Sequence, residues 1–249
     1  MNKIKVSIII PCYFRSQLLK WGLESISQQK INYDYEILIL NDGLPDETEK
    51  ICDFYKNRLN IRYYFTGERN LKETKWRIPG IVFNKGVELA NGNIIILSSP
   101  EIFHLNNDSI NQLVKPLETQ SKILVIPDGK DDYVGKFLSY LEKNYPPIDE
   151  NYLSEVTMKL DTLLPFCMAM KKQDFLDIGG FDVNFAEGYC FDDNDLVKRL
   201  TQNGCNYFRV PIKVVHLFHP RFPTQRIGLK NIKELYERNW QLFKRKFKK

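Results

Sequence analysis

Residues 92–105 read GNIIILSSPEIFHL, an apolar run over 94–97 that stops abruptly at Ser98, Ser99, Pro100 and Glu101. A short apolar run without polar alternation predicts a strand covered on both faces, as in parallel sheets, with the polar residues falling at its carboxyl end. The same pattern recurs upstream. Residues 6–10 (VSIII) form a β-branched run ended by Pro11, and Leu19, Leu23 and Ile26 then show helical spacing within 16–29. Residues 35–40 (YEILIL) end at Asn41-Asp42-Gly43, with Asp46 placed to cap a helix through Tyr55. Residues 61–65 predict a third strand, and 81–89 a helix closed by Asn91-Gly92. Strands alternating with helices predict an α/β fold whose mostly parallel central sheet is flanked by helices. In such sheets ligands sit beyond the carboxyl ends of the strands. The loops 11–15, 41–45 and 98–101 fall at those ends and are expected to converge on one crevice.

Downstream, residues 122–127 (KILVIP) predict a strand, and the polar stretch 128–160, with Pro146-Pro147, predicts an insertion or flexible loop. Residues 166–170 predict a strand and 172–178 a short helix ending at Gly179-Gly180. Residues 195–203 predict a helix closed by Gly204, and 207–210 and 214–218 two strands. Residues 231–247 place Ile232, Leu235, Tyr236, Leu242, Phe243 and Phe247 on one face of an amphipathic helix.

Composition bounds the function. The 249 residues are 43% hydrophobic and 27% charged, an ordinary globular balance. Neither a membrane span nor a signal peptide is evident, so a cytoplasmic location is expected. Five cysteines without a C-x-x-C pair predict reduced, mostly buried thiols. The net charge of +5 is concentrated in residues 221–249, where ten Lys/Arg face two acidic residues. A basic tail of this kind does not predict nucleic-acid binding, which favours a spread basic surface with interleaved aromatics. Two readings of the tail stand: its apolar face packs on the domain, or it lies on the inner face of an anionic membrane, near a lipid-linked acceptor.

Four segments in order, VSIIIPCYFRSQLLKWGLESISQQ, YEILILNDGLPDET, FNKGVELANGNIIIL and GGFDVNFAEGYCFDDNDLVKRL, resemble family 2 glycosyltransferases of the GT-A fold, the last with a galactosyltransferase-like character. The resemblance spans about residues 4–220. It implies a GT-A domain over 1–220, with a nucleotide-binding half at 1–127 and an acceptor and catalytic half at 160–220, followed by a basic C-terminal helix at 221–249. It further implies an inverting enzyme that moves a sugar from a UDP-linked donor, with galactose and N-acetylgalactosamine suggested by the last segment, to a glycan or lipid-linked hydroxyl. Such transfer needs a pocket for the nucleotide, charge neutralisation on the departing diphosphate, and a carboxylate to deprotonate the acceptor.

The resemblance assigns Pro11, Cys12, Tyr13, Arg15, Asp42, Arg77 and Ser99 to the nucleotide; Asp42 is equally readable as a turn residue of Asn-Asp-Gly. Where the family carries Asp-x-Asp for Mn2+ or Mg2+, this chain has Ser98 and Pro100, leaving Glu101 as the acid that reaches an ion. The Pro100-Glu101-x-x-His104 form is similar to some galactosyltransferase-like branches, and His104 is expected at the surface or behind the ion's ligands. His216 and His219 supply the remaining ligands. Residues three apart on an extended strand point to opposite faces, so one of the two is expected to face the site, His216 by register with the family. Asp193 is implied as the general base with Asp192 on an acceptor hydroxyl, Asp195 reads as a helix cap, and Gly179, Gly180 and Phe181 shape the sugar pocket. The competing class is a non-catalytic sugar-nucleotide or glycan-binding module on the same fold, favoured by the lost Asp-x-Asp and opposed by the acid pair.

Overall fold

The computed structural model describes residues 5–67, 78–146, 148–160, 162–219 and 229–248. Along the chain come β1 (Lys5–Cys12), α1 (Ser16–Ser27), β2 (Asp34–Asn41), α2 (Thr48–Tyr55), β3 (Ile61–Phe65), α3 (Gly80–Leu89) and β4 (Ile94–Ser98). Then follow β5 (Ile102–His104), α4 (Ser109–Val114), α5 (Pro116–Thr119), β6 (Ile123–Asp131), α6 (Lys136–Asn144), α7 (Glu150–Val156) and β7 (Met158–Leu160). The chain closes with β8 (Cys167–Lys171), α8 (Lys172–Asp177), α9 (Asp192–Gln202), β9 (Asn206–His216) and α10 (Leu229–Phe247).

One sheet runs in the order β3-β2-β1-β4-β8-β6-β9-β5, with β7 beside β6. The sheet is mixed: β1, β2, β3, β4, β6 and β9 point one way, and β5, β7 and β8 run against them. Strand periodicity explains the continuous apolar runs. Val6, Ile8 and Ile10 join Ile37, Ile39, Ile94 and Ile96 in a core under α1, α2 and α4. Ile9, Leu38, Leu40, Ile95 and Leu97 face the opposite layer of α3, α8 and α9. Both faces are covered, so neither needs polar residues.

Three expectations change. The stretch 128–160 is not a loop: β6 runs on to Asp131, and α6 and α7 bury Phe137, Leu141 and Leu153 in a third core with Phe103, Val215 and Leu217. The strands expected over 207–210 and 214–218 are one strand, β9, whose register against β6 shifts between Pro127 and Asp128, so that Pro211 and Ile212 are absorbed in a bulge. Of the two places expected for His104, the surface falls away: the residue is buried on β5 with its backbone N–H on Ser25 Oγ at 3.0 Å.

Candidate active site

The parallel strands β1, β2 and β4 bring their carboxyl ends to one edge of the sheet. At the end of β1, Pro11 and Cys12 are buried. The Cys12 thiol points into the core beside Thr48, where burial pushes it up to about 12, so only its backbone faces the edge. Its carbonyl accepts the Asp42 N–H at 2.8 Å. Asp42 is itself buried and accepts the Thr66 hydroxyl at 3.0 Å. The turn after β2 is organised by Asn41, whose side-chain oxygen accepts the Gly43 N–H at 3.1 Å and whose amide nitrogen donates to Asp46 and to Tyr63. Tyr13 lies over this turn: a Cβ on Gly43 would stand 3.2 Å from its ring. Tyr13, Asp42 and Gly43 thus form one corner. Ser99 is fixed through its backbone, donating to Phe166 O at 3.0 Å. Arg77 lies outside the described residues.

The second corner forms where β5 pairs with β9. Ile102 stands opposite His216, and Leu217 N–H donates to Glu101 O at 2.9 Å. This pairing puts one ligand atom from each of Glu101, His216 and His219 within 4.8 Å of one another. Both histidines therefore enter the cluster, where one was expected. β9 ends at His216, so strand alternation does not extend to His219, and the two rings meet edge to face at 5.1 Å. His216 Nδ1–H donates to Asp131 Oδ1 at 3.2 Å, which in the neutral ring leaves the Nε2 lone pair free to coordinate. His219 contacts Glu101 Oε1 through Nε2 at 3.1 Å and Arg15 through Nδ1 at 3.2 Å. Arginine only donates, so a neutral His219 accepts at Nδ1 and donates from Nε2 to Glu101. Arg15 Nε lies 3.8 Å from the same carboxylate. Burial pushes the Glu101 carboxyl up, but the His219 hydrogen bond and the electrostatic pull of His219, His216 and Arg15 outweigh it, and the net direction is down.

A divalent ion is tested against this donor set. Glu101 Oε2 is buried and takes no hydrogen bond among the described residues. A buried, ionised oxygen left over beside the free His216 Nε2 is what a cation would satisfy, and Glu101 and His216 fit one; His219 joins them once its proton moves from Nε2 to Nδ1 and Arg15 gives way.

The third corner is the start of α9. Cys190 and Phe191 both hold left-handed backbone, φ 62° and 71°, and Asp192 and Asp193 follow as the first residues of the helix. Asp192 is buried and Asp193 half-buried. Burial, reinforced by the Asp192 charge, pushes the Asp193 carboxyl well above the usual aspartate range. Asp195 is fully buried and ion-paired to Arg199 at 2.6 Å and Lys246 at 2.7 Å, so it is a structural acid. α3 ties this corner to the others. Gly86 packs on Ile9 and Gly92 on Ser7, so the helix, followed backwards, moves toward the carboxyl end of β1. At that end Ile78 and Ile81 share a cluster with Phe191. The acid pair thus lies at the edge that carries Glu101 and Arg15.

The Gly179-Gly180-Phe181 segment is held by Asn84, whose side chain accepts the Phe181 N–H at 2.8 Å and donates to Phe181 O at 2.9 Å. The Phe181 ring is buried and stacked on Phe83 at 5.5 Å, so it shapes the edge from behind, whereas Gly179 faces open space. Of the two readings of the tail, the structure shows packing: Tyr236, Trp240 and Phe243 of α10 stack around Phe191 at 4.9, 5.2 and 5.7 Å. Among the described residues no helix is long and apolar enough to cross a membrane. The five cysteines are free thiols, four of them buried.

Residues 7–179, more than half of the chain, match the model of glycosyl transferase family 2. The chain belongs to that family. Residues 153–221 match a second family, described as the N-terminal domain of galactosyltransferase. An uncharacterized glycosyltransferase of Mycoplasma genitalium is 26% identical over 176 residues, which cover 68% of this chain and 54% of that relative. Among solved structures, residues 1–349 of Staphylococcus aureus TarS in complex with UDP-GlcNAc superpose with a TM-score of 0.65 at 16% identity, covering 93% of this chain and 64% of that one. GalNAc-T7 with UDP, GalNAc and Mn2+ also gives 0.65, at 15% identity, covering 98% and 50%. The family 2 chain is therefore of the GT-A fold, as its sequence implies, and it spans about half to two thirds of the length of these proteins.

Sequence reasoning missed one residue of this edge, Asp131. Asp131 sits in the polar stretch that predicts an insertion or flexible loop, where its pairing with His216 has no local signal.

Proposed function

We propose that this chain is an inverting glycosyltransferase that moves a sugar from a UDP-linked donor to a hydroxyl of a glycan or lipid-linked acceptor. The observation that supports it most is the meeting of Glu101, His216 and His219 at the edge that also carries a half-buried aspartate with a raised pKa. Residues 1–127 would hold the donor, with Tyr13 and Asp42 at the base, Arg15 and Arg77 toward the phosphates, and the Ser99 backbone at the turn. Residues 160–220 would supply the acceptor side. Asp193 takes the proton of the acceptor hydroxyl, whose oxygen attacks the anomeric carbon from the face opposite the diphosphate. The bond from that carbon to the diphosphate oxygen breaks, and the electron pair leaves with UDP. A base whose pKa is raised toward the working pH is well matched to this step.

Glu101, His216 and His219 would hold the divalent ion, which supplies positive charge to the leaving diphosphate. Two imidazoles beside one carboxylate suit Mn2+ better than Mg2+, which prefers oxygen ligands alone. The solved complex of GalNAc-T7 contains Mn2+ and UDP, in line with this choice. The match of residues 153–221 to galactosyltransferase favours galactose or N-acetylgalactosamine as the donor sugar.

A panel of nucleotide sugars, incubated with the chain with and without Mn2+, tests the reading by release of free nucleoside diphosphate. Turnover of a UDP-hexose that requires Mn2+ is expected. Saturable binding without turnover across the panel would instead mark a binding module.

A further inference from the structure

The segment matched to galactosyltransferase ends at residue 221, before α10 begins, yet α10 reaches the backbone on which the acid pair is mounted. Its Asn239 is fully buried. The side-chain amide donates to Cys190 O at 2.8 Å and to Phe185 O at 3.0 Å, spanning both ends of the 185–190 turn. Its own oxygen accepts from Arg238 at 2.9 Å. The fit is close: a Cβ on Gly188 would stand 2.0 Å from that oxygen, so the turn accommodates the amide only with glycine there. Tyr189 N–H adds a bond to Leu235 O at 3.2 Å.

We propose that Asn239 is a positioning residue for the Asp192-Asp193 pair, which makes α10 part of the catalytic apparatus rather than an appendage. This rests on the reading of Asp193 as the base. Cys190 and Phe191 occupy left-handed backbone without being glycine, a conformation that persists only when its surroundings hold it. The bond to Cys190 O is that hold. Phe191 O in turn accepts Asp195 N–H at 2.9 Å and so opens α9. The torsions of Cys190 and Phe191 therefore decide where Asp192 and Asp193 point. On the far side, Lys246 reaches Asp195 at 2.7 Å and Asp182 at 2.6 Å, so α10 grips the segment before and after the acids.

The test is a carboxyl NMR titration of the full chain carrying 13C-labelled aspartate, with Asp193→Asn to identify the resonance. In the parent chain one carboxyl titrates well above the rest and vanishes in Asp193→Asn. In Asn239→Ala, relaxation of the turn is expected to expose that carboxyl and lower its midpoint by at least about one pH unit, tenfold in acidity. Donor turnover should drop by about tenfold or more in kcat, with KM for the donor within about twofold. Should Asn239→Ala fail to fold, Asn239→Ser, which keeps one donor, is measured against the same criterion. A midpoint and kcat that stay put in a folded variant of lower melting temperature would reduce Asn239 to a structural staple and overturn the proposal. If no high resonance disappears in Asp193→Asn, the base assignment itself fails, which is distinct from a high resonance that Asn239 does not move.

Discussion

Asp193 is held where its charge is disfavoured, by burial and by Asp192 beside it. The same fact bears on catalysis and on stability, with opposite signs. As a base, the carboxylate works only when ionised, so kcat/KM should rise with pH through the raised value and fall below it. Asp193→Asn should lower turnover by roughly 10²- to 10⁴-fold, read as nucleoside diphosphate release. For folding, an acid whose native pKa is raised is protonated more readily in the native than in the unfolded chain. Its favourable contribution is complete below the ordinary aspartate range and is lost as pH rises through the raised value. At neutral pH, above the ordinary aspartate range, the raised value therefore costs stability, and Asp193→Asn should unfold at higher urea than the parent there. At pH 4 that gain should disappear. Asp131 tests the neighbouring corner. It fixes the His216 ring through Nδ1, and Asp131→Asn should weaken Mn2+ binding by about 10- to 100-fold in calorimetry, the usual cost of losing a carboxylate behind a ligating histidine.

At the scale of elements, most of β1 to β4 and the helices between them was legible. Runs such as VSIII and YEILIL are apolar at every position because both faces are buried, and that pattern is local. What stayed hidden depends on distant pairing. β5 is three residues long and exists because β9 lies beside it. α6 and α7 bury only a few residues each in a polar stretch, too few for composition to reveal. Glu101 was found from its place at a strand end, but its meeting with both histidines follows from the β5–β9 register, which no single-strand rule supplies. The Gly179-Gly180 turn illustrates the legible kind of feature, since its conformation is written in residue type. Gly180 has φ +69°, and a Cβ there would stand 2.5 Å from Asn84 Oδ1 and 2.7 Å from Phe175. Gly180→Ala should cost about 1–3 kcal/mol in urea unfolding, through backbone strain and the displaced Asn84.

At the scale of the molecule, Glu101 and His216 stand side by side though 115 residues of chain separate them (216 − 101). Any ion seated between them is a clasp on a very long loop, and the clasp is lost once the chain unravels. Mn2+ should therefore behave as a thermal protectant: the melting temperature should climb with its concentration, by the equivalent of about 2.7 kcal/mol at a hundred times Kd, and chelation should reverse the gain. Mg2+ should do markedly less, and Glu101→Ala should flatten the response. Heat resistance then becomes a gauge of ion occupancy that needs neither a donor nor an acceptor sugar.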